Sequence, residues 1–497
     1  MKRLTALLLA VALLVCACGG CGAKEKETAK TPSTTKATTP ATSILTEPPV
    51  PQPTVPALEA VSKDVTATLN EVVLTDYTLV YAADADAYTV RAVTYIRDEI
   101  YARAGAVLNV VTDDAETGAA HEIVVGETNR PISATLDADT EGMQFALLAA
   151  DGHVAMEGDY FIIAAAAYYF VATYVTGEAA TVPATVQVCD PIVEEANNYI
   201  VLIGDGMGVN HTRMPQYLDG TALTDYSDGE KLFYGTLFPY QGMAHTNSLN
   251  NTTDSAASAT ALASGYKTNN GYVGRGAEGQ DLKTLTELAG EMGMATAVMS
   301  TEVQTGATIA GFTAHANDRD DTEDILATQK VLQDTYGTII DGDHDVYTDY
   351  SVYMLTQRIN EVLNTLNKDE DGFFMMYEEA YIDKHSHEMD EEGAAKAVIR
   401  FNQAIATFME FAFYHPDTFI LITADHESGG LGYTEEGGFE FSRGSHTGRD
   451  VPVFAYGVGA QVFHDTSVEN VQIPKTIAKM WGQQLAADTD EQYPPLN

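Results

Sequence analysis

Residues 418–430 read TFILITADHESGG, an uninterrupted apolar run that ends in Asp425 and His426 and is followed by a glycine pair. A short continuous apolar run bounded by glycine reads as a strand buried on both faces. Such a strand presents its polar residues at its carboxyl end, where open α/β sheets place their ligands. The pattern recurs on either side. YIVLIGDG (199–206) ends in Asp205, and GFFMMYEE (372–379) ends in Glu378 and Glu379. TAVMS (296–300) and VPVFAYG (451–457) are also strand-like, while DLKTLTELAGEMG (281–293) and AAKAVIRFNQAIATFMEFAFYH (394–415) repeat their apolar residues every three to four positions. This alternation predicts an α/β fold with a mostly parallel central sheet sandwiched by helices.

A second Asp-His pair stands in YEEAYIDKHSH (377–387), where Asp383 and His387 share one face if the segment after Ile382 turns helical. Carboxylate plus imidazole is the ligand set of zinc-like divalent metals, so two such pairs point to a bimetal hydrolase. Asp205, flanked by Gly204 and Gly206, suits a strand-end carboxylate bridging two metals, although GDG is also a common turn. Ser255, in TTDSAASATALASG (252–265), stands where a run of small residues begins a helix, near the positive end of its dipole. The competing account of that segment is an Asp or Ser N-cap on an Ala-rich helix. Thr308 and Arg319 lie in GATIAGFTAHANDRD (306–320), where the guanidinium is a candidate phosphate clamp or the partner of Asp318 or Asp320. His315 reads as a packing residue. Glu378 is a candidate for a third cation, and His446, in GSHTGRD (444–450), for a final ligand.

The chain has 497 residues, with 71 acidic against 27 basic side chains and a formal net charge of -44. A surface of that sign repels nucleic acid and anionic membrane, which leaves neither as a partner for the folded surface. Lys2 and Arg3 precede a short apolar stretch, LTALLLAVALLV, that fits a signal h-region. The cysteines behind it resemble a bacterial lipobox, with Cys18 the expected lipidation site and Cys21 the alternative, so residues 1–22 read as signal peptide and lipidation region. Residues 23–57 are Thr, Pro, Lys and Ala with few large apolar side chains and read as a disordered linker. The expected product is exported and held by a lipid anchor on a bacterial membrane, at the cell surface or periplasmic face. Residues 58–190 form a small α/β unit, with helices at YTVRAVTYIRDEIYARAG and YFIIAAAAYYFVATYV and a hairpin around Asp151-Gly152. Through HEIVVGETNR and DGHVAMEGD this unit resembles the non-catalytic domain that precedes the barrel of hexosaminidase-type glycosidases. The acidic run DGDHDVYTDY from Asp341 lacks the EF-hand glycine and closing glutamate and reads as a solvated loop.

Over residues 197–485 the blocks GDGMG, TDSAASATALASGYKTNNGYVG, GATIAGFTAHANDR, YEEAYIDKHSH, TADHESGG and SHTG occur in the order and spacing of the alkaline phosphatases, and the chain resembles that family. The resemblance implies a phosphomonoester hydrolase with a serine nucleophile and a phosphoseryl intermediate, acting on small phosphate esters. It implies two zinc ions, one held by Asp383, His387 and His446 and the other by Asp205, Asp425 and His426 together with Ser255. It further implies one magnesium at Asp205, Thr308 and Glu378, with Arg319 clamping the phosphate; homodimers are common in the family. Three departures stand out. Thr252 replaces an aliphatic residue before the nucleophile, Gly306 stands where relatives carry Asp or His two residues before the threonine ligand, and the paired disulfides of some relatives cannot form. Lys384, after Asp383, resembles the lysine that bacterial members keep near the phosphate. Other readings are a phosphodiesterase or sulfatase on the same core, and a binding lipoprotein with a degenerate hydrolase. The sulfatase motif is missing after Ser255, and the retained ligand set speaks against degeneration.

Overall fold

The computed structural model describes residues 55–497 except 57, 59, 64, 116–118, 137–141, 159–161, 176–178, 190–194, 218–231, 343–351, 435–437 and 486–492. The signal, lipidation and most of the linker expectations, including Cys18 and Cys21, lie outside the described residues, as do 343–350 of the acidic run.

Two large sheets organise the rest. The first has six strands in the order Asn109–Thr112, Tyr77–Tyr81, His121–Val125, His153–Glu157, Phe145–Ala150 and Gln187–Cys189. Its first four strands run parallel, and Phe145–Ala150 and His153–Glu157 form the antiparallel hairpin expected around Asp151 and Gly152. Both turn residues take positive φ, 51° and 84°, as a two-residue hairpin demands. The helices Ala87–Ala104 and Ile162–Tyr174 pack on each other and on this sheet. Asp86 caps the first by accepting from the Tyr88 and Thr89 amides. Tyr95 of that helix meets Phe413 edge to face at 6.1 Å, and Arg91 pairs with Glu410 at 3.4 Å, so the Glu391–Tyr414 helix is shared with the second sheet's layer.

The second sheet carries the site. Its eight strands run in the order Ile339–Gly342, Ala295–Ser300, Phe373–Glu379, Asn198–Gly204, Thr418–Thr423, Val451–Tyr456, Tyr240–His245 and Ser467–Glu469. The first five are mutually parallel. VPVFAYG is the exception to the parallel expectation, pairing antiparallel with both neighbours. The three central strands are buried along their whole length, which explains why they read as apolar runs without alternation. Register then does the positioning. Glu378 and Thr423 both lie opposite Ile203, and Ser300 lies opposite Glu378, so the residues that follow leave the sheet at one level.

Candidate active site

Three neighbouring strand ends deliver the acidic residues. Asp205 leaves the Asn198–Gly204 strand in a turn in which Gly206 adopts φ 74°. A Cβ at Gly206 would stand 2.9 Å from the Asp383 Cα, so glycine is required both by the backbone and by the approach of the next element. The Gly206 amide donates to Asp425 Oδ1 at 3.0 Å, which ties the first strand end to the third. After Glu378 and Glu379 the chain turns directly into the helix Tyr381–Glu388, whose pitch brings His387 back over Asp383, with His387 Nε2 3.3 Å from Asp383 Oδ2. His211 buttresses this helix: its Nδ1 accepts from the Gly208 amide, leaving Nε2–H to donate to Ser386 Oγ at 3.1 Å. Burial holds the His211 imidazole neutral, with its pKa pushed down to about 3.

His446 sits in a short antiparallel pairing with Glu427–Ser428 rather than in a free loop. Its Nε2 lies 3.0 Å from His387 Nε2 and 3.5 Å from Asp383 Oδ1, while its Nδ1 donates to the Thr253 carbonyl at 2.9 Å. Asp383, His387 and His446 therefore converge as one donor group. His426 Nε2 lies 3.1 Å from Asp425 Oδ2 and 3.6 Å from Asp205 Oδ1, forming a second, and the same nitrogen is 3.2 Å from Ser255 Oγ. Asp383, His426 and His446 also bring donor atoms within 4.8 Å of one another, so the two groups abut.

Both accounts of the 252–265 segment hold at once. Asp254 is the N-cap, accepting from the Ala257 amide, and Ser255 is the first residue of the helix Ser255–Ser264. Arg319 does not pair with Asp318 or Asp320; its Nη1 reaches Asp254 Oδ2 at 3.3 Å, beside Ser255. Thr308 lies in the helix Ala307–Thr313, which packs on the serine helix and brings Thr308 next to Glu378. His315 is bonded to the Gly274 carbonyl and Glu287. The 274–280 turn, GRGAEGQ, is closed by the Gly276 amide on the Gln280 carbonyl.

Reading the sequence missed two participants. Ser428 Oγ donates to Asp383 Oδ1 and lies 3.2 Å from His426 Nδ1, linking the two donor groups from behind. Glu302 faces Lys384, whose Nζ donates to Glu302 Oε1 at 2.6 Å. A serine two residues after a ligand histidine on a strand edge, and a carboxylate six residues before Thr308, were the available signals.

The electrostatics follow from crowding acids in a dry site. Burial, then the charges of Asp425, Asp383, Glu378 and Glu302, push the Asp205 carboxyl well above its ordinary range. Burial and then Glu302 push Glu378 up to about 8. Burial also opposes ionisation of Asp383 and Asp425, but the adjoining imidazoles outweigh it and hold both below the ordinary carboxylate range. The hydrogen bond to Asp383 raises His387 to about 9.

A family model described as alkaline phosphatase matches residues 196–347 and 340–442. Alkaline phosphatase 3 of Bacillus subtilis (strain 168) is 28% identical over 370 residues, covering 60% of this chain and 77% of the relative. The alkaline phosphatase of Escherichia coli (strain K12) is 25% identical over 337 residues, covering 46% of this chain and 70% of the relative. Among solved structures, the alkaline phosphatase from the Antarctic bacterium TAB5 is similar at 26% identity and a TM-score of 0.50, over 59% of this chain and 99% of that one. A variant of the TAB5 enzyme with Mg bound in its M3 site is similar to the same extent, at 25% identity and a TM-score of 0.50 over 59% and 99% of the two chains.

Proposed function

The chain belongs to the alkaline phosphatase family, and on that premise we propose that it hydrolyses small phosphate monoesters through Ser255, with two zinc ions and one magnesium. One observation carries the reading. Asp205 Oδ1, Asp425 Oδ2, Glu378 Oε1 and Thr308 Oγ1 are all buried, and among the described residues Asp425 Oδ2 faces only His426 Nε2, Glu378 Oε1 and Thr308 Oγ1 have only each other's side chains, and Asp205 Oδ1 has no hydrogen-bond partner. Buried acceptors left unpaired cost several kcal/mol in general, roughly 2–7 by transfer measures, and native proteins avoid them. Here four converge on the donor groups described above, an arrangement that divalent cations satisfy. Asp383, His387 and His446 would hold one zinc, and Asp205, Asp425 and His426 the other; Asp205, Thr308 and Glu378 would hold magnesium. Bound in such positions, divalent cations lower the pKa of an oxygen they touch and offset the charge of a transferring phosphoryl group.

The chain's own groups then have distinct tasks. Ser255 Oγ, directed toward His426, forms a bond to phosphorus as the ester oxygen leaves, giving a phosphoserine. Water cleaves that bond, releasing inorganic phosphate and restoring the hydroxyl. The amides at the start of the Ser255–Ser264 helix and the Arg319 guanidinium, anchored on Asp254, stabilise the equatorial phosphoryl oxygens. The charge of -44 argues for small esters and against nucleic acid as partner. The remaining expectations belong to the same reading: a chain exported and tethered through Cys18 to a bacterial membrane, residues 58–190 as a spacer unit of hexosaminidase-associated type, and a homodimer.

The test is hydrolysis of p-nitrophenyl phosphate at alkaline pH by the full chain with zinc and magnesium, after chelation, and with Ser255→Ala. Chelator-sensitive turnover that collapses in the variant supports the reading. Inactive metal-loaded protein that cleaves bis-p-nitrophenyl phosphate instead would replace it with a diesterase.

A further inference from the structure

We propose that Glu302 is a component of the third cation site, adding its carboxylate to Asp205, Thr308 and Glu378 in place of the side chain that Gly306 lacks. The inference rests on the reading above and concerns which residues of this chain build that site. Gly306 has φ -57° and ψ 150°, a conformation open to any residue, so the backbone does not call for glycine there. The space beside it is taken by the end of a flexible side chain: a Cβ at residue 306 would stand 2.6 Å from Glu302 Oε2 and 2.8 Å from its Cδ. The Glu302 carboxylate thus already fills the volume that a side chain two residues before Thr308 would occupy, reaching it from the loop instead of from the helix.

The placement is fixed from three sides. The Glu302 amide donates to Ser300 Oγ at 2.9 Å, and that hydroxyl donates to Glu378 Oε2 at 2.5 Å, so one serine sets the spacing of the two carboxylates. Gly342 on the neighbouring strand lets the loop press close, since a Cβ there would lie 2.7 Å from the Glu302 carbonyl oxygen. Lys384 takes only Oε1, at 2.6 Å, while Oε2 is the atom turned toward Gly306. An acidic cluster alone would be a solvated face. Here Glu378 and Thr308 are fully buried and adjoin one another, and Glu378 Oε1 and Thr308 Oγ1 have no further hydrogen-bond partner among the described residues. Glu302 and Glu378, tied through Ser300, then flank this corner of the site with Lys384 paired to Glu302, an excess of negative charge suited to a hard cation with oxygen ligands. Lys384 follows the expected zinc ligand Asp383, so Glu302 also couples that helix to the third site.

The experiment uses the full-length chain, stripped of metal, reloaded with zinc, and titrated with magnesium by calorimetry or with manganese by electron paramagnetic resonance. Glu302→Gln keeps the shape and Glu302→Ala removes it; each is expected to weaken magnesium at least tenfold while two zinc ions are retained. Gly306→Asp alone should lower the melting temperature, because its side chain collides with Glu302. The double variant Glu302→Ala/Gly306→Asp should relieve that collision and recover magnesium affinity, a non-additive cycle that a simple surface ion pair would not give. Wild type that binds magnesium while Glu302→Gln binds it as tightly overturns the proposal alone. A double variant showing only additive losses does the same. Zinc-loaded wild type that takes up no third cation overturns the three-cation reading, and the proposal falls with it.

Discussion

Chelated protein should lose stability as the pH rises from 6.5 to 8, whereas the cation-loaded protein should not. Glu378 holds its proton up to about 8 in the folded state, against 4.5 for the free side chain. Between those values the folded state binds more protons than the unfolded one, so the contribution is fully present below 4.5 and is lost as pH climbs through 8. The slope is about 1.4 kcal/mol per pH unit, or roughly 2 kcal/mol across this window. His387, raised to about 9, acts in the same direction, but its side chain is 42% exposed and solvent screens most of its share. His446 and Asp205 are also raised and add to the trend. Asp383 and Asp425 are lowered, so their contributions vanish only in acid; His211, pushed to about 3, acts in the opposite direction, but only over the foot of the window, while the unfolded imidazole finishes titrating above 6.5. With unfolding entropy near 2.1 cal/mol/K per residue, 2 kcal/mol corresponds to about 2–3 °C for a cooperative unit of this size. Scanning calorimetry with chelator, and with zinc plus magnesium, measures it. Glu378→Gln, which retains an acceptor for Ser300, should flatten the chelated slope. A chelated wild type whose stability is level or rising over this window, or a Glu378→Gln slope equal to wild type, would refute the reasoning.

Three further outcomes follow from individual contacts. Arg319→Lys keeps the charge but loses the planar fork held by Asp254, so kcat/KM for p-nitrophenyl phosphate should fall about 10²–10³-fold, close to the loss in Arg319→Ala; a lysine variant near wild type would show that charge alone suffices. Ser428→Ala removes the hydroxyl that donates to Asp383 and flanks His426, and zinc affinity, measured by competition with a chelator, should drop by about 10–100-fold with Ser255 intact. Gly206→Ala forces a side chain into φ 74° and against Asp383, costing about 1–2 kcal/mol for the left-handed backbone and a further ~1–3 kcal/mol for overpacking, readable as a lower urea midpoint.

The strands and the residues at their ends were legible because the central sheet is parallel and buried on both faces. That burial turns YIVLI, FFMMY and TFILIT into plain apolar runs whose first polar residues are the site. The spacing of Asp383 and His387 was legible for the same kind of reason, since four residues are one helical turn. VPVFAYG looks like its neighbours in composition, yet it runs antiparallel to them; strand direction depends on the path of the connection, which an apolar run does not encode. Arg319 was singled out with a partner among the adjacent aspartates, whereas Asp254 reaches it across 65 positions. Ser428 and Glu302 were missed because their roles depend on what the fold sets opposite them. Nothing local distinguishes Glu302 from any loop glutamate until Gly306 is seen pressed against its carboxylate.

These contacts make the donor groups a cost to the fold before they are an asset. Asp205, Glu378 and Asp425 are brought to neighbouring strand ends and Asp383 to the helix that follows one of them, with Glu302 nearby, and the cations beside them, Arg319, Lys384 and Arg400, are each already committed to an aspartate or glutamate. A sheet built only for stability would place apolar residues there, since buried ionic groups seldom repay their desolvation. The remedy visible in the chain itself is partial: Asp383 and Asp425 lean on imidazoles and Asp425 also on the Gly206 amide, whereas burial and like charge push the Asp205 and Glu378 carboxyls above their ordinary range. Glu378 Oε2 accepts from Ser300, whereas among the described residues Asp205 Oδ1 has no hydrogen-bond partner and Glu378 Oε1 has only the Thr308 side chain beside it. The negative charge of the whole chain sharpens the point, because an anionic ester meets a repulsive surface until it comes within a few ångströms of Arg319 and the Ser255 helix. On the proposed reading, cation occupancy would couple both properties, relieving the buried acids and reversing the local field that a phosphate must enter.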